Sequence, residues 1–116
     1  MSDTGKTNTD LENHYRAYIG TINALPQSTL NPYLAPTIIH NDRNLTPEEY
    51  HKLVVNGAVF TVDSVIADVQ KKKVAARLSI EWSNDKGGKT EVKEHVFYQL
   101  NEDWQIEQVW SMVEYL

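Results

Sequence analysis

Ionisable side chains are spread through this sequence without forming a familiar catalytic motif. The chain has 116 residues and no Cys, which excludes thiolate nucleophiles, disulfides and zinc–thiolate sites. It has no glycine-rich phosphate loop, nucleophile elbow or H-E-x-x-H pair, and its four His have no metal-ligand spacing within one element. The chemistry left is acid–base catalysis by His, Asp, Glu, Tyr and Arg, with no metal or other cofactor.

Arg77 is the first residue that the sequence singles out. It lies in the alternating segment VAARLSIEW, between apolar neighbours, where an unpaired guanidinium is costly to bury. Two interpretations stay open. Arg77 pairs with Glu81 on a solvated sheet face, or it points inward and either positions a carboxylate or polarises a substrate oxygen.

Glu94 begins the segment EHVFYQL, in which it shares one face with Val96, Tyr98 and Leu100. Because Leu100 is the last apolar anchor before a turn, we expect that face to meet the helices, with Glu94 and Tyr98 in a pocket and His95 outside. A carboxylic acid in an apolar pocket has a raised pKa and can hold or deliver a proton near neutral pH. The alternatives are an exposed strand-end charge, or a one-residue register slip that turns His95 inward.

Four further side chains are candidates for the same pocket. His40 ends a short strand, and an imidazole suits a general base unless it is only a structural residue. Tyr18 lies on the apolar face of a helix, so its hydroxyl needs a partner. On the last strand, Trp110 and Glu114 share a face. If Trp110 faces the pocket, so does Glu114, unless Glu114 is simply solvated near the chain end.

Helical signals occupy the first half of the chain. A capping-box spacing at Thr9–Glu12 begins a first helix with one apolar face, and Pro26 ends it. A short helical piece follows at 29–35. A third helix runs from the N-cap Thr46 to about Asn56.

Strand signals occupy the rest of the chain. Alternating or β-branched segments predict strands at 37–40, 59–70, 74–82, 92–100 and 104–115. Helices followed by an antiparallel meander indicate an α+β fold, in which about three N-terminal helices pack on one face of a strongly curved sheet. Such a fold encloses a cone between helices and sheet, which suits a small molecule.

Composition and segment character limit the partners, the location and the number of domains that we expect. With 11 Lys and Arg against 16 Asp and Glu, the net charge is −5, so nucleic acid is not an expected partner. No apolar run approaches the roughly 20 residues of a membrane span, and the polar start MSDTGKTNTD is not a secretory signal. We expect a cytoplasmic protein with a disordered tail at 1–9 and one domain at 10–116.

Four segments in this order resemble a known family. YIGTINA at 18–24, IIHN at 38–41, EHVFYQL at 94–100 and VWSMVE at 109–114 are similar to the SnoaL-like polyketide cyclases of the NTF2-like superfamily. EHVFY and VWSMVE are most similar to the fungal branch. The resemblance implies a cone-shaped fold, a homodimer packed through the sheet, and a cofactor-independent enzyme of secondary metabolism. Such enzymes catalyse aldol cyclisation, isomerisation, epoxide opening or rearrangement.

Ketosteroid isomerases share the implied fold and allow a comparison by residue. Tyr18 matches their oxyanion-donating Tyr on the first helix. His40 matches their general-base Asp, or Asn41 does if the register shifts by one. Their second acid corresponds to Val96 here, which argues against steroid isomerisation.

Two other matches concern the sheet. Arg77 matches the Arg of limonene-type epoxide hydrolases, but Ser79 stands where those enzymes have an Asp, which weakens the case for epoxide hydrolysis. The family's final-strand Asp, four residues after a Trp, corresponds to Glu114 after Trp110.

The sequence therefore predicts a cyclase or isomerase that acts by acid–base catalysis on a small hydrophobic polyketide, terpenoid or alkaloid intermediate. The proposed catalytic residues, with the acid and base not assigned individually, are His40, Arg77, Glu94 and Glu114. The proposed substrate contacts are Tyr18, Asn41, Tyr98 and Trp110. The alternative is a non-catalytic binding or dimerisation module of the same fold, with at most one polar contact in its cavity.

Overall fold

The computed structural model describes residues 5–54 and 57–116. Of the tail predicted at 1–9, residues 1–4 lie outside this range. The helical elements are α1 (Asn8–Asn23), a 3-10 turn (Asn31–Tyr33) and α2 (Pro47–His51). The strands are β1 (Leu34–His40), β2 (Arg43–Leu45), β3 (Val59–Asp68), β4 (Lys73–Ser83), β5 (Lys89–Leu100) and β6 (Ile106–Tyr115).

The six strands form one curved, unclosed sheet in the order β2-β1-β6-β5-β4-β3. Neighbours are antiparallel except β1 and β6, which run parallel. The α+β class is confirmed, and the helical elements are one long helix, one 3-10 turn and one short helix. The core lies between α1 and the inner sheet face, and its most deeply buried side chains are Leu11, Leu30, Ile38, Val74, Leu78 and Val109. None of the helices in the described part of the chain has the length and apolar character needed to cross a membrane.

Helix α1 begins two residues before the predicted capping box. Thr7, not Thr9, is the N-cap: its hydroxyl accepts a hydrogen bond from the Asp10 N–H at 3.1 Å. The Asp10 carboxylate in return accepts one from the Thr7 N–H at 2.8 Å. The prediction was wrong because Thr-x-x-Asp can close the same reciprocal pair as Thr-x-x-Glu, and both spacings overlap here.

The cap assignment has a direct test. Thr7→Ala should lower the free energy of unfolding by about 1 kcal/mol, because it leaves an N-terminal N–H without its acceptor. Thr9 is exposed inside the first turn, so Thr9→Ala should cost nothing measurable, since Ala is the better helix former. Urea unfolding of both variants checks this, and equal losses would contradict the assignment.

Strand β1 is longer than predicted and makes a hairpin with β2 that was not predicted. The helical piece expected at 29–35 is reduced to the 3-10 turn, and the strand starts at Leu34. The hairpin turns at Asn41 and Asp42, which have φ of 46° and 70°. Two successive left-handed residues characterise the tight turns that suit a hairpin, and Asn and Asp tolerate that conformation.

Helix α2 covers one side of the inner sheet face. Its predicted cap is confirmed: Thr46 and Glu49 form a reciprocal capping box. The helix ends at His51, before the predicted end at about Asn56, and residues 55–56 lie outside the described range. His51 Nε2 accepts the Leu30 N–H at 2.9 Å, so Nδ1 donates to the Pro47 carbonyl at 2.7 Å. This imidazole joins α2 to the segment before the 3-10 turn.

Candidate functional site

A cavity of about 290 Å³ lies between α1, α2 and the inner sheet face. That volume is near the lower limit for ligand sites, which favours a small ligand. Its walls are mainly apolar and include Ile22, Leu78, Ile80, Val92, Val96 and Val109. Three of the lining residues are exposed to solvent: Leu53, Val113 and Tyr115. The lining also includes residues with polar or titratable side chains, among them Tyr18, His40, Tyr50, Glu94, Tyr98 and Ser111.

Glu94 is the acidic group of this cavity. It lies opposite Leu78 of β4 and Val113 of β6, so the three side chains form one inward row across the sheet. Burial raises the pKa of its carboxyl above the ordinary value of 4.5, and a hydrogen bond donated by the Ser111 hydroxyl partly offsets that rise. The prediction that Glu94 faces the cavity and His95 faces outward is confirmed.

Two pairs of hydrogen-bonded tyrosines lie in the same region as Glu94. Tyr15 and Tyr18, one turn apart on α1, place their hydroxyls 3.0 Å from Tyr98 and 2.8 Å from Tyr50 respectively. Burial raises the pKa of all four phenols, so they stay protonated. In each pair one hydroxyl donates, and the accepting hydroxyl keeps its own hydrogen. The Tyr18–Tyr50 pair can therefore donate that hydrogen to an oxygen in the cavity.

His40 lines the same cavity at the end of β1. Its ring meets the Tyr50 ring edge-on, with centroids 6.2 Å apart. Partial burial lowers the pKa of this imidazole, and the nearby Arg43 lowers it further. At neutral pH the ring is therefore in the neutral form, which can accept a proton.

Comparison with known proteins identifies the architecture. No family model matches the chain, and no curated protein matches it in sequence. Among solved structures, an NTF2-like protein of unknown function from Cytophaga hutchinsonii aligns with a TM-score of 0.63 at 17% identity, over 88% of this chain and 96% of that one. The chain has the NTF2-like fold.

Two further structural neighbours are described as enzymes. The epoxide hydrolase/cyclase-like enzyme SalBIII, associated with pyran ring formation in the polyether salinomycin, aligns over the full length of both chains with a TM-score of 0.76 at 13% identity. A protein assigned as a SnoaL-like polyketide cyclase from Shewanella putrefaciens aligns with a TM-score of 0.65 at 9% identity, over 97% of this chain and 84% of that one. At such identities the likeness concerns the fold alone.

Arg77 does not reach the NTF2-like cavity. It is exposed on the outer sheet face, where its Nη1 lies 3.4 Å from Asp63 Oδ2. The reason is the alternation of β4, in which Ala76 and Leu78 are buried inward, so the residue between them points outward. Of the two interpretations of Arg77 the outward one is correct, although its partner is Asp63 and not Glu81.

Glu114 and Trp110 also lie on the outer face, contrary to the inward orientation considered for them. Glu114 Oε1 is 3.4 Å from His95 Nε2, and the Trp110 ring packs against Phe97. An irregularity in the β5–β6 pairing, near Glu107, is responsible: Leu100 pairs with 106, whereas Gln99 pairs with 108. The extra residue changes which side chains of β6 face inward.

Asn41 is exposed, and its side chain contacts the backbone of β6 instead of lining the cavity. The other predicted site residues, Tyr18, His40, Glu94 and Tyr98, do line it. Their catalytic and binding roles stay predictions. The described residues contain no group of three His, Asp or Glu placed to hold a metal ion.

Two cavity residues were not predicted. Tyr50 is the fourth residue of the capped helix α2 and its one buried residue, so it faces the sheet. Ser111 faces inward only because of the irregularity in β6, so no local signal marked it. Tyr50 supplies the phenol that forms a hydrogen bond with Tyr18, and Ser111 supplies the hydroxyl that donates a hydrogen bond to Glu94.

The outward position of Arg77 leads to a prediction. Arg77→Ala should leave both ligand binding in the cavity and the midpoint of urea unfolding essentially unchanged, because an exposed ion pair contributes little to stability. The charge-preserving variant Arg77→Lys is the control. A large loss of binding in a folded Arg77→Ala protein would show that the guanidinium acts on the cavity after all.

Proposed function

We propose that the protein is a cofactor-independent cyclase or isomerase of secondary metabolism, of the lyase or isomerase class. The substrate is a small hydrophobic intermediate that carries a carbonyl oxygen, such as a polyketide, terpenoid or alkaloid precursor. The main support is the convergence in one apolar cavity of a carboxyl with a raised pKa, an imidazole with a lowered pKa and a phenol pair. The cyclase-like structural neighbours agree with this class. Similarity to the fungal branch and residence in the cytoplasm belong to the proposal and rest on the sequence.

The mechanism assigns one step to each group. Neutral His40 removes a proton from the carbon next to the substrate carbonyl, and the electron pair moves onto the carbonyl oxygen. The Tyr18–Tyr50 pair donates a hydrogen bond to that developing negative charge. The Glu94 carboxyl, whose raised pKa favours the protonated form, transfers its proton to the same oxygen and takes it back when the carbonyl forms again. In an isomerisation, the imidazolium of His40 returns the proton to another carbon. In an aldol cyclisation, the enolate carbon forms a bond to a second carbonyl carbon, whose oxygen takes the proton.

The first step can be tested without the natural substrate. β-Tetralone is a small apolar ketone, and its α-protons exchange for deuterium when it enolises. We expect the protein to accelerate this exchange in deuterium oxide, followed by proton NMR, above the rate in buffer and above the rate with heat-unfolded protein. Saturable binding of β-tetralone without faster exchange would favour the non-catalytic binding module instead.

The partner that we propose is a second copy of the chain, packed through the outer sheet face. One cross-strand row there contains Ile66, Ala75, Phe97 and Trp110, with Met112 on the next row. Ile66 is 72% exposed and Met112 70%. Apolar side chains grouped in this way are typical of an interaction surface.

The dimer proposal predicts a change of mass in solution. Trp110→Glu should convert the dimer to a monomer, because it places a carboxylate in the middle of the apolar row. Val59→Glu, an exposed apolar position on β3 that pairs with Glu81 away from this row, should leave the mass unchanged. Analytical ultracentrifugation measures both, and a monomeric unaltered protein would contradict the proposal.

A further inference from the structure

Asn41 connects the β1–β2 hairpin to the last strand by three hydrogen bonds. Its backbone N–H donates to the Val109 carbonyl at 2.9 Å. Its side-chain Nδ2 donates to the Ser111 carbonyl at 3.1 Å, and its Oδ1 accepts the Ser111 N–H at 2.8 Å. The side-chain amide thus pairs with Ser111 as one more peptide group of β1 would.

The position of this contact matters because the pairing of β1 with β6 ends there. The last residue pair between β1 and β6 is His40 with Val109. Beyond it, within the described part of the chain, β6 pairs with β5 on one side only. Asn41 therefore holds the backbone of Ser111 from the side that lacks a strand.

Ser111 in turn contacts the buried acid. Its side chain lines the cavity, and its hydroxyl donates to Glu94 Oε2. The direction of a serine hydroxyl depends on the backbone that carries it, so a fixed backbone gives the carboxyl a fixed donor. A chain of contacts runs from an exposed turn to the acid inside the cavity.

We propose that Asn41 is a positioning residue for Glu94: by holding the Ser111 backbone it fixes the hydroxyl that binds the carboxylate. Asparagine suits this task because it tolerates the left-handed φ of 46° and carries both a donor and an acceptor. This role differs from the substrate contact that the sequence suggested. The inference rests on the proposed function only for the catalytic use of Glu94, not for the coupling itself.

The coupling can be measured on the protein alone by following the side-chain carboxyl carbon of Glu94 in an NMR titration, with Glu94→Gln to assign the signal. Ser111→Ala should move the titration midpoint to higher pH by about one unit, since it removes a hydrogen bond to a charged group. Asn41→Gly keeps the turn and should move the midpoint in the same direction by a smaller amount. In the double variant, Asn41→Gly should cause no shift of the Glu94 titration midpoint beyond that of Ser111→Ala alone.

Controls separate this coupling from general loosening of the hairpin. Asn44→Gly makes the same change on β2, opposite Ile39, and should leave the midpoint unchanged. The other titratable groups around Glu94 and its cavity are His40, Tyr15, Tyr18, Tyr50, Tyr98 and Tyr115, and all are kept. An unchanged midpoint in Asn41→Gly would overturn the proposal, as would a full extra shift in the Ser111→Ala background.

A second measurement needs no variant and covers the case in which Asn41→Gly does not fold. The Ser111 amide should exchange with solvent more slowly than the Val113 amide, which points to the same side of β6 beyond Asn41. Equally fast exchange would overturn the proposal. Because neither measurement uses a substrate, absence of β-tetralone exchange would contradict the proposed function without affecting this inference.

Discussion

Glu94→Gln should slow the enolisation of β-tetralone by about 10²- to 10⁴-fold, the usual contribution of a positioned acid or base. The amide keeps the shape of the side chain but cannot transfer a proton at neutral pH. Glu107→Gln, an exposed position on β6, is the matched control and should retain the rate of the unaltered protein. A Glu94→Gln protein with the full rate would remove the carboxyl from the mechanism.

The same substitution should change how stability depends on pH. Burial raises the pKa of Glu94 in the folded protein above its ordinary value of 4.5, so the folded state binds more protons than the unfolded state between these two values. The stability of the unaltered protein relative to Glu94→Gln should therefore be greatest at acidic pH and fall as pH rises through the folded pKa. Urea unfolding from acidic to neutral pH measures this difference. A constant difference would contradict the raised pKa.

Tyr18→Phe is expected to have the second-largest effect, a loss of about 10²-fold in the exchange rate, typical of removing one donor to a developing oxyanion. The substitution keeps the ring and removes the hydroxyl, so one of the two phenol donors is lost and the Tyr50 hydroxyl loses the partner that holds it in place. We expect the substitution to cost about 1 kcal/mol of stability, as for a typical buried hydrogen bond.

Tyr15→Phe is the matched control for this variant. Tyr15 is one turn away on α1 and makes an equivalent hydroxyl contact with Tyr98, but Tyr15 does not line the cavity. Its removal should cost a similar stability and leave the exchange rate nearly unchanged. Equal losses of rate in the two variants would indicate that the helix position, not the Tyr18 hydroxyl, matters for catalysis.

Local patterns were sufficient for the elements whose signals lie within a few residues. The capping box at Thr46 and the alternation of β4 are examples, because a cap and a pleat depend only on neighbouring residues. The same alternation placed Glu94 inward once Leu100 was taken as a core residue. The overlapping capping-box spacings that begin at Thr7 and Thr9 show the limit of local patterns, because both spacings satisfy the same sequence rule.

Contacts between distant parts of the chain decided the remaining features. The sequence contains the acid, the imidazole and the tyrosines, and its alternation was enough to direct Glu94 towards the helices. It could not show that Tyr50 would meet Tyr18, or that Ser111 would meet Glu94, because each pair joins separate elements. The orientation of Glu114 depended on one extra residue in β6, which is defined only by pairing with β5. Since a single such residue exchanges the two faces of a strand, the composition of the cavity was settled by strand pairing in three dimensions.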